Sequence, residues 1–209
     1  MNRDVIARRL QDSTVGRWAS GMSREERMER GDHDLNPGMA KPTELVQAAV
    51  LVPIVERREG FTVLLTQRTD HLSAHAGQIS FPGGRLESTD AGLEAAALRE
   101  TEEEVGLMRD RIEVVGQLDL YVTRTGFEVT PVVGIVTPPF SLTPDPFEVA
   151  DVFEVPLSFV IDPANHLKQS RLHNGIQRQF YVLPYDNRYI WGATAGMLVN
   201  LSEVLRKAR

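Results

Sequence analysis

From Gln47 to Val55 the chain reads QAAVLVPIV, an apolar run rich in β-branched residues that predicts a buried strand. Arg57-Arg58-Glu59-Gly60 then turns the chain, and Phe61 to Arg68 predicts the return strand. Residues 69–80 read as a long polar loop leading into a Gly-Gly turn. Ile112 to Tyr121 and Glu128 to Thr137 predict two further strands, joined by the turn Thr123-Arg124-Thr125-Gly126. After the Pro-rich loop 138–146 come a short strand, Val149 to Pro156, and a short helix near Leu157–Ile161. Gln179 to Leu183 and Arg188 to Trp191 flank Tyr185-Asp186-Asn187 as a hairpin. Gly192 to Lys207 is an amphipathic helix with Ala195, Leu198, Leu201 and Leu205 on one side.

Between the first strand pair and the second lies a helix starting near Ala91, for which Ser88, Thr89 and Asp90 offer N-cap side chains. Ala95 to Leu98 favour helix, and Gly106 stands where a terminating glycine belongs. Strands with one early and one terminal helix predict an α/β fold, a mixed β-sheet between helices. Residues 1–45 are more polar and read as an N-terminal extension to a domain spanning 46–209. Val5 to Leu10 suits a short amphipathic helix, and Ser23 to Arg30 a solvated one. The extension either packs on the domain or crosses to a second copy, so a homodimer stays open.

Composition narrows the function. A net charge of −6 supplies no overall attraction to nucleic acid or to anionic membranes. A polyanionic substrate would need local cations, from metal or clustered Arg. Cysteine is absent, which excludes disulfides, thiolate zinc sites and thiol nucleophiles and suits a cytoplasmic setting. The N-terminus does not read as a signal peptide, and no run reaches the length of a membrane span.

The chemistry concentrates between Phe81 and Leu107. Glu100, Glu103 and Glu104 stand at i, i+3 and i+4 and share one helix face, while Glu102 points to solvent. Leu98, Thr101 and Val105 form the core stripe, and only the small Ala96 and Ala97 neighbour the carboxylates. Two like charges 4 Å apart repel by roughly 4 kcal/mol at an effective dielectric near 20. Solvation relieves most such clusters, but a hard divalent cation also would, since it prefers oxygen ligands. The preceding Gly83-Gly84 lets backbone approach an ion, and Arg99 lies one turn from Glu103 to hold its rotamer.

Arg99-Glu100-Thr101-Glu102-Glu103-Glu104-Val105-Gly106-Leu107 resembles the second half of a Nudix box, with Gly83-Gly84 and Asp90 as its first half. Eight residues separate Asp90 from Arg99 where seven are usual, and Thr101 replaces an aliphatic. Upstream, Leu64-Leu65-Thr66-Gln67-Arg68-Thr69, Leu72, His75, Gly77-Gln78 and Phe81-Pro82-Gly83-Gly84 are similar to the signature of the coenzyme A pyrophosphatase branch, which commonly has the longer box. Trp191 to Ala195 also resembles that branch, whose usual basic residue is replaced here by Ser73-Ala74.

The resemblance implies a Nudix-type α/β/α sandwich that hydrolyses a diphosphate linkage in a small molecule. Coenzyme A or an acyl-CoA is the implied substrate, with 3′,5′-ADP and 4′-phosphopantetheine as products. ADP-ribose, dinucleoside polyphosphates or nucleoside triphosphates are the alternatives, and a non-catalytic CoA or nucleotide sensor a further one. Mg²⁺ or Mn²⁺ would be held by Glu100, Glu103, Glu104 and the Gly84 carbonyl. Glu100 serves as ligand or base, Arg99 orders the carboxylates, and Glu148 is the candidate general base with Glu154 second. Arg68, His75 and Arg85 are candidates for holding substrate, with Arg124 as a further phosphate contact.

Overall fold

β2 (Val46–Arg57) is buried over most of its length, as its apolar run requires. Its side chains alternate: Ala49 and Leu51 enter one layer, Ala48, Val52 and Ile54 the other. A strand covered on both faces carries no polar alternation. The computed structural model describes residues 1–12, 28–71, 76–173 and 175–206. In it β2 is the spine of a nine-stranded mixed sheet. β8 (Phe127–Val136) lies parallel to it, from Val46↔Phe127 to Val55↔Val136, and β3 (Gly60–Arg68) returns antiparallel.

The other strands attach to these three. β7 (Leu120–Val122) and β6 (Ile112–Gln117) pair with β8, and β1 (Glu29–Gly31) lies parallel to β7. β4 (Ile79–Ser80) and β9 (Val149–Pro156) pair with β3, and β5 (Gly83–Arg85) with β2. α2 (Leu93–Val105) covers one face, where Ala96 and Ala97 pack on Ala49, Leu51 and Val132. α1 (Arg3–Asp12), α3 (Leu157–Ile161) and α4 (Gly192–Arg206) contribute to the core on the other face. The architecture is the expected α/β sandwich. A separate antiparallel sheet follows the order β10 (Leu167–His173), β11 (Ile176–Tyr185), β12 (Arg188–Trp191).

Several local expectations are corrected. The span Ile112–Tyr121 breaks into β6 and β7, because buried Asp119 leaves the ladder. Its N–H donates to Asn200 Oδ1, and its carboxylate accepts from Arg30 and Asn200. Of the helix expected over Ser23–Arg30, residues 23–27 lie outside the described residues, while Glu29 and Arg30 belong to a strand. Ser88, Thr89 and Asp90 do not cap α2: its N-cap is Gly92, with no side-chain bond. Ala96 and Ala97 are core residues, so they do not leave open space beside the carboxylates. α4 is buried on more than one side, since α1, α3, β11 and β12 all contact it. In the N-terminal segment, Ile6 and Leu10 of α1 are fully buried in the main core, worth about 2 kcal/mol each.

Candidate active site

Strand pairing and helix packing bring the site together. β5 sets Gly83 and Gly84 beside Val50 and Ala49 of β2. α2 crosses above, and its Glu100 carboxylate lies against Gly84, where a Cβ would sit 2.4 Å from Glu100 Oε1. Only glycine admits that approach. Gly106, at φ 69, ends the helix in the left-handed conformation and bonds back to the Glu102 carbonyl. The Pro-rich loop then ties itself to that helix end: Thr143 N–H donates to the Val105 carbonyl at 2.8 Å and Asp145 N–H to the Glu104 carbonyl at 2.9 Å. This anchoring carries Glu148 to the carboxylate face.

Arg99 organises the cluster. Its Nε and Nη2 donate to the two oxygens of Asp90 at 2.9 and 3.0 Å. Its Nη1 donates to Glu100 at 3.0 Å and Glu103 at 2.9 Å, and Nη2 also reaches the Arg85 carbonyl at 3.2 Å. All five guanidinium N–H groups therefore have acceptors. Asp90 is held below the usual carboxylate range, first by Arg99 and then by the Glu87 N–H. The extra residue before the helix leaves Asp90 able to reach Arg99, and Asp90 is the contributor missing from the expected site set. The signal for it was the acidic position itself.

Glu104 is the most buried of the acids, its side chain 8% exposed. Gly83 N–H donates to it at 3.2 Å. Burial pushes its carboxyl up to about 7, Gly83 and Arg68 oppose the rise, and Glu148 and Glu100 add to it. Glu100 is also raised, by burial first, with Glu103 and Glu148 contributing against the pull of Arg99. Arg68 stands between Glu104 and Glu148 at 3.7 Å from each, beyond hydrogen-bond length. Its Nε is buried without a hydrogen-bond partner among the described residues.

Glu100, Glu103, Glu104, Gly84, Arg99, Arg68 and Glu148 thus gather at one place. Glu154 does not: it lies farther along β9, bonded to Arg57 at 3.1 Å and Thr62 at 2.6 Å. Burial would raise it, but these two bonds outweigh burial and hold it low. It is set aside as a base. Glu102 is not merely solvated but accepts from Arg109 N–H at 2.8 Å and Nε at 2.9 Å. Arg85 turns its guanidinium over the Phe127 ring at 5.4 Å. His75 lies outside the described residues.

The donors suit a hard divalent ion in kind: they are all oxygen, cradled by a glycine, with one buried carboxyl whose cation partner, Arg68, stands 3.7 Å away. Among the described residues, however, no three acidic or histidine side chains converge on one point. Arg99 Nη1 bridges Glu100 and Glu103, and Glu103, 58% exposed, is the side chain with room to turn.

Comparison with known proteins places the chain in a family. A family model described as the NUDIX domain matches residues 45–169. The uncharacterized Nudix hydrolase NudL of Citrobacter koseri is 44% identical over 157 residues, covering 75% of this chain and 81% of that protein. NudL of an Enterobacter species is 43% identical over 156 residues, with the same coverage of 75% and 81%. The solved C. elegans Ap4A hydrolase binary complex is similar over 56% of this chain and 84% of its own, with a TM-score of 0.47 and 20% identity. The chain belongs to the Nudix hydrolase family, the pyrophosphohydrolases. Such enzymes generally use divalent metal ions, and the Nudix domain binds small-molecule diphosphate substrates. No helix among the described residues is long and apolar enough to cross a membrane.

Proposed function

We propose that this enzyme hydrolyses the diphosphate linkage of coenzyme A or acyl-CoA, giving 3′,5′-ADP and (acyl-)4′-phosphopantetheine. The observation that carries the reading is Arg68. It belongs to the stretch resembling the coenzyme A pyrophosphatase signature, and it stands between Glu104 and Glu148 rather than on an unrelated surface. Glu100, Glu103, Glu104 and the Gly84 carbonyl would hold Mg²⁺ or Mn²⁺. When bound, the ion supplies neutralisation of charge on the phosphoryl oxygens and makes a water more acidic.

The chain's own groups do the rest. Glu148, 43% exposed and facing the cluster, takes the proton of the attacking water on a carboxylate oxygen. Arg68 and Arg85 bind phosphoryl oxygens, and His75 is the third substrate contact in this proposal. Arg99, held by Asp90, keeps Glu100 and Glu103 in their rotamers and acts through them. The N-terminal 45 residues are proposed as an extension of the 46–209 domain, in a cytoplasmic enzyme for which a homodimer is one arrangement.

Ser73-Ala74, where the branch usually has a basic residue, favours a second reading: ADP-ribose, a dinucleoside polyphosphate or a nucleoside triphosphate. A panel of these compounds and coenzyme A, assayed with Mg²⁺ and with Mn²⁺ and read by mass, separates the readings. Preferred cleavage of coenzyme A to the two named products is expected. Preference for another member overturns the substrate assignment, and binding without turnover on every member points to a sensor.

A further inference from the structure

The β10–β11 hairpin is basic on an acidic protein. No acid occurs between Asp162 and Asp186, while Lys168, Arg171 and Arg178 supply cations on a chain of net charge −6. Several arginines elsewhere are paired with carboxylates, among them Arg3, Arg30, Arg57 and Arg188. The side chains of Arg171, Arg178 and Arg124 pair with no carboxylate among the described residues, although the Arg124 backbone N–H donates to Asp32 Oδ2 at 2.8 Å. Arg171 and Arg178 are direct cross-strand neighbours, so their side chains leave the same face. Like charges placed opposite one another in a ladder repel. Arg178 Nε is also buried with no hydrogen-bond partner among the described residues.

His173 lies two residues beyond Arg171 on that same face, and Arg124 Nη1 comes within 3.5 Å of its Nε2. Arg124 occupies the turn between β7 and β8, three residues before Phe127. Phe127 carries the guanidinium of Arg85, the residue following Gly84. A chain of cations therefore leads from the diphosphate site to the hairpin. Its far end suits a phosphomonoester, which has nearly two negative charges and three acceptor oxygens and matches the forked donors of arginine.

We propose that Arg124, Arg171, His173 and Arg178 form a second phosphate subsite, which holds a terminal phosphomonoester away from the bond being cut. On the coenzyme A reading, on which this naming of the ligand rests, that group is the 3′-phosphate.

Calorimetric titration of the full chain with 3′,5′-ADP and with 5′-AMP tests this without turnover. 3′,5′-ADP is expected to bind at least about tenfold more tightly, the worth of one charge-assisted contact. Arg124→Ala and Arg171→Ala, both at exposed positions, should each cut that ratio about tenfold. Arg178→Lys, which keeps the charge but loses Nε, should cut it less than Arg178→Ala. Equal affinities in the unaltered protein, or a ratio that survives both exposed variants, overturn the subsite. Selectivity for 3′,5′-ADP in an enzyme that leaves coenzyme A intact keeps the subsite and rejects the substrate. Cleavage of coenzyme A without that selectivity does the reverse.

Discussion

Asp90 grips Arg99 with both carboxylate oxygens, at 2.9 and 3.0 Å, from outside the helix that carries the arginine. The pair fixes the direction of a guanidinium whose remaining donors hold Glu100 and Glu103. Asp90→Asn keeps the shape and removes the charge. Partners of metal-binding side chains are typically worth about 10–100-fold in activity or ion affinity. The variant is expected to lose that much kcat/KM, with a weaker ion requirement curve, and steady-state kinetics across an Mg²⁺ series checks it. Unchanged kinetics would mean that Arg99 needs no external clamp.

Glu103 is exposed and, among the described residues, bonds only to Arg99, so its role is separable from folding. Glu103→Gln should abolish turnover while thermal unfolding stays within a degree or two of the parent, roughly the effect of a surface substitution. Near-normal turnover at saturating Mg²⁺ rejects Glu103 as a ligand.

Glu148→Gln removes the proposed acceptor of the water's proton. Loss of a general base costs about 10²–10⁴ in rate, and the acid limb of the pH–rate profile should disappear with it. If the limb persists in the variant, the base is another group.

Glu104 gives a pH signature in the metal-free protein. Its carboxyl is raised from 4.5 to about 7 by burial, so the folded state binds that proton more tightly than the unfolded one. Its contribution is therefore most favourable below about 4.5, declines as pH rises, and levels off above about 7. The span corresponds to about 3 kcal/mol. Denaturant unfolding from pH 4.5 to 8 should show that decline in the parent, less of it in Glu104→Gln, and less again when a divalent ion neutralises the group. A parent and variant with parallel curves would show that Glu104 is already compensated.

Gly84→Ala places a methyl 2.4 Å from the Glu100 carboxylate, on top of it. Activity should fall at least about tenfold as Glu100 is displaced. Spectroscopic confirmation of an intact fold with unaltered activity would show that Glu100 has another productive position.

Much of this was legible because it depends on local rules. Helical spacing alone puts Glu100, Glu103 and Glu104 together, and the left-handed Gly106 marks the stop. The unbroken apolar run at Gln47–Val55 announced a strand covered on both sides. Other features depend on residues distant in sequence. Asp119 breaks a strand because Asn200 and Arg30 reach it, neither of which periodicity can see. β10 has no burial pattern at all, since its seven residues are exposed and only the ladder with β11 defines it. Glu154 stands second to Glu148 on sequence alone, and the bonds from Arg57 and Thr62 that remove it come from residues far away in the chain. Asp90 was visible as an acid, but its grip on Arg99 is settled by the path of the loop.

Electron paramagnetic resonance of Mn²⁺ titrated into the protein tests the central claim most directly, that this carboxylate ridge is built to grip a divalent ion. Free Mn²⁺ signal should be depleted by the unaltered enzyme and restored in Glu103→Gln and Glu104→Gln, with Mg²⁺ competing. Full-strength free signal at every protein concentration, with 3′,5′-ADP present or absent, would contradict it.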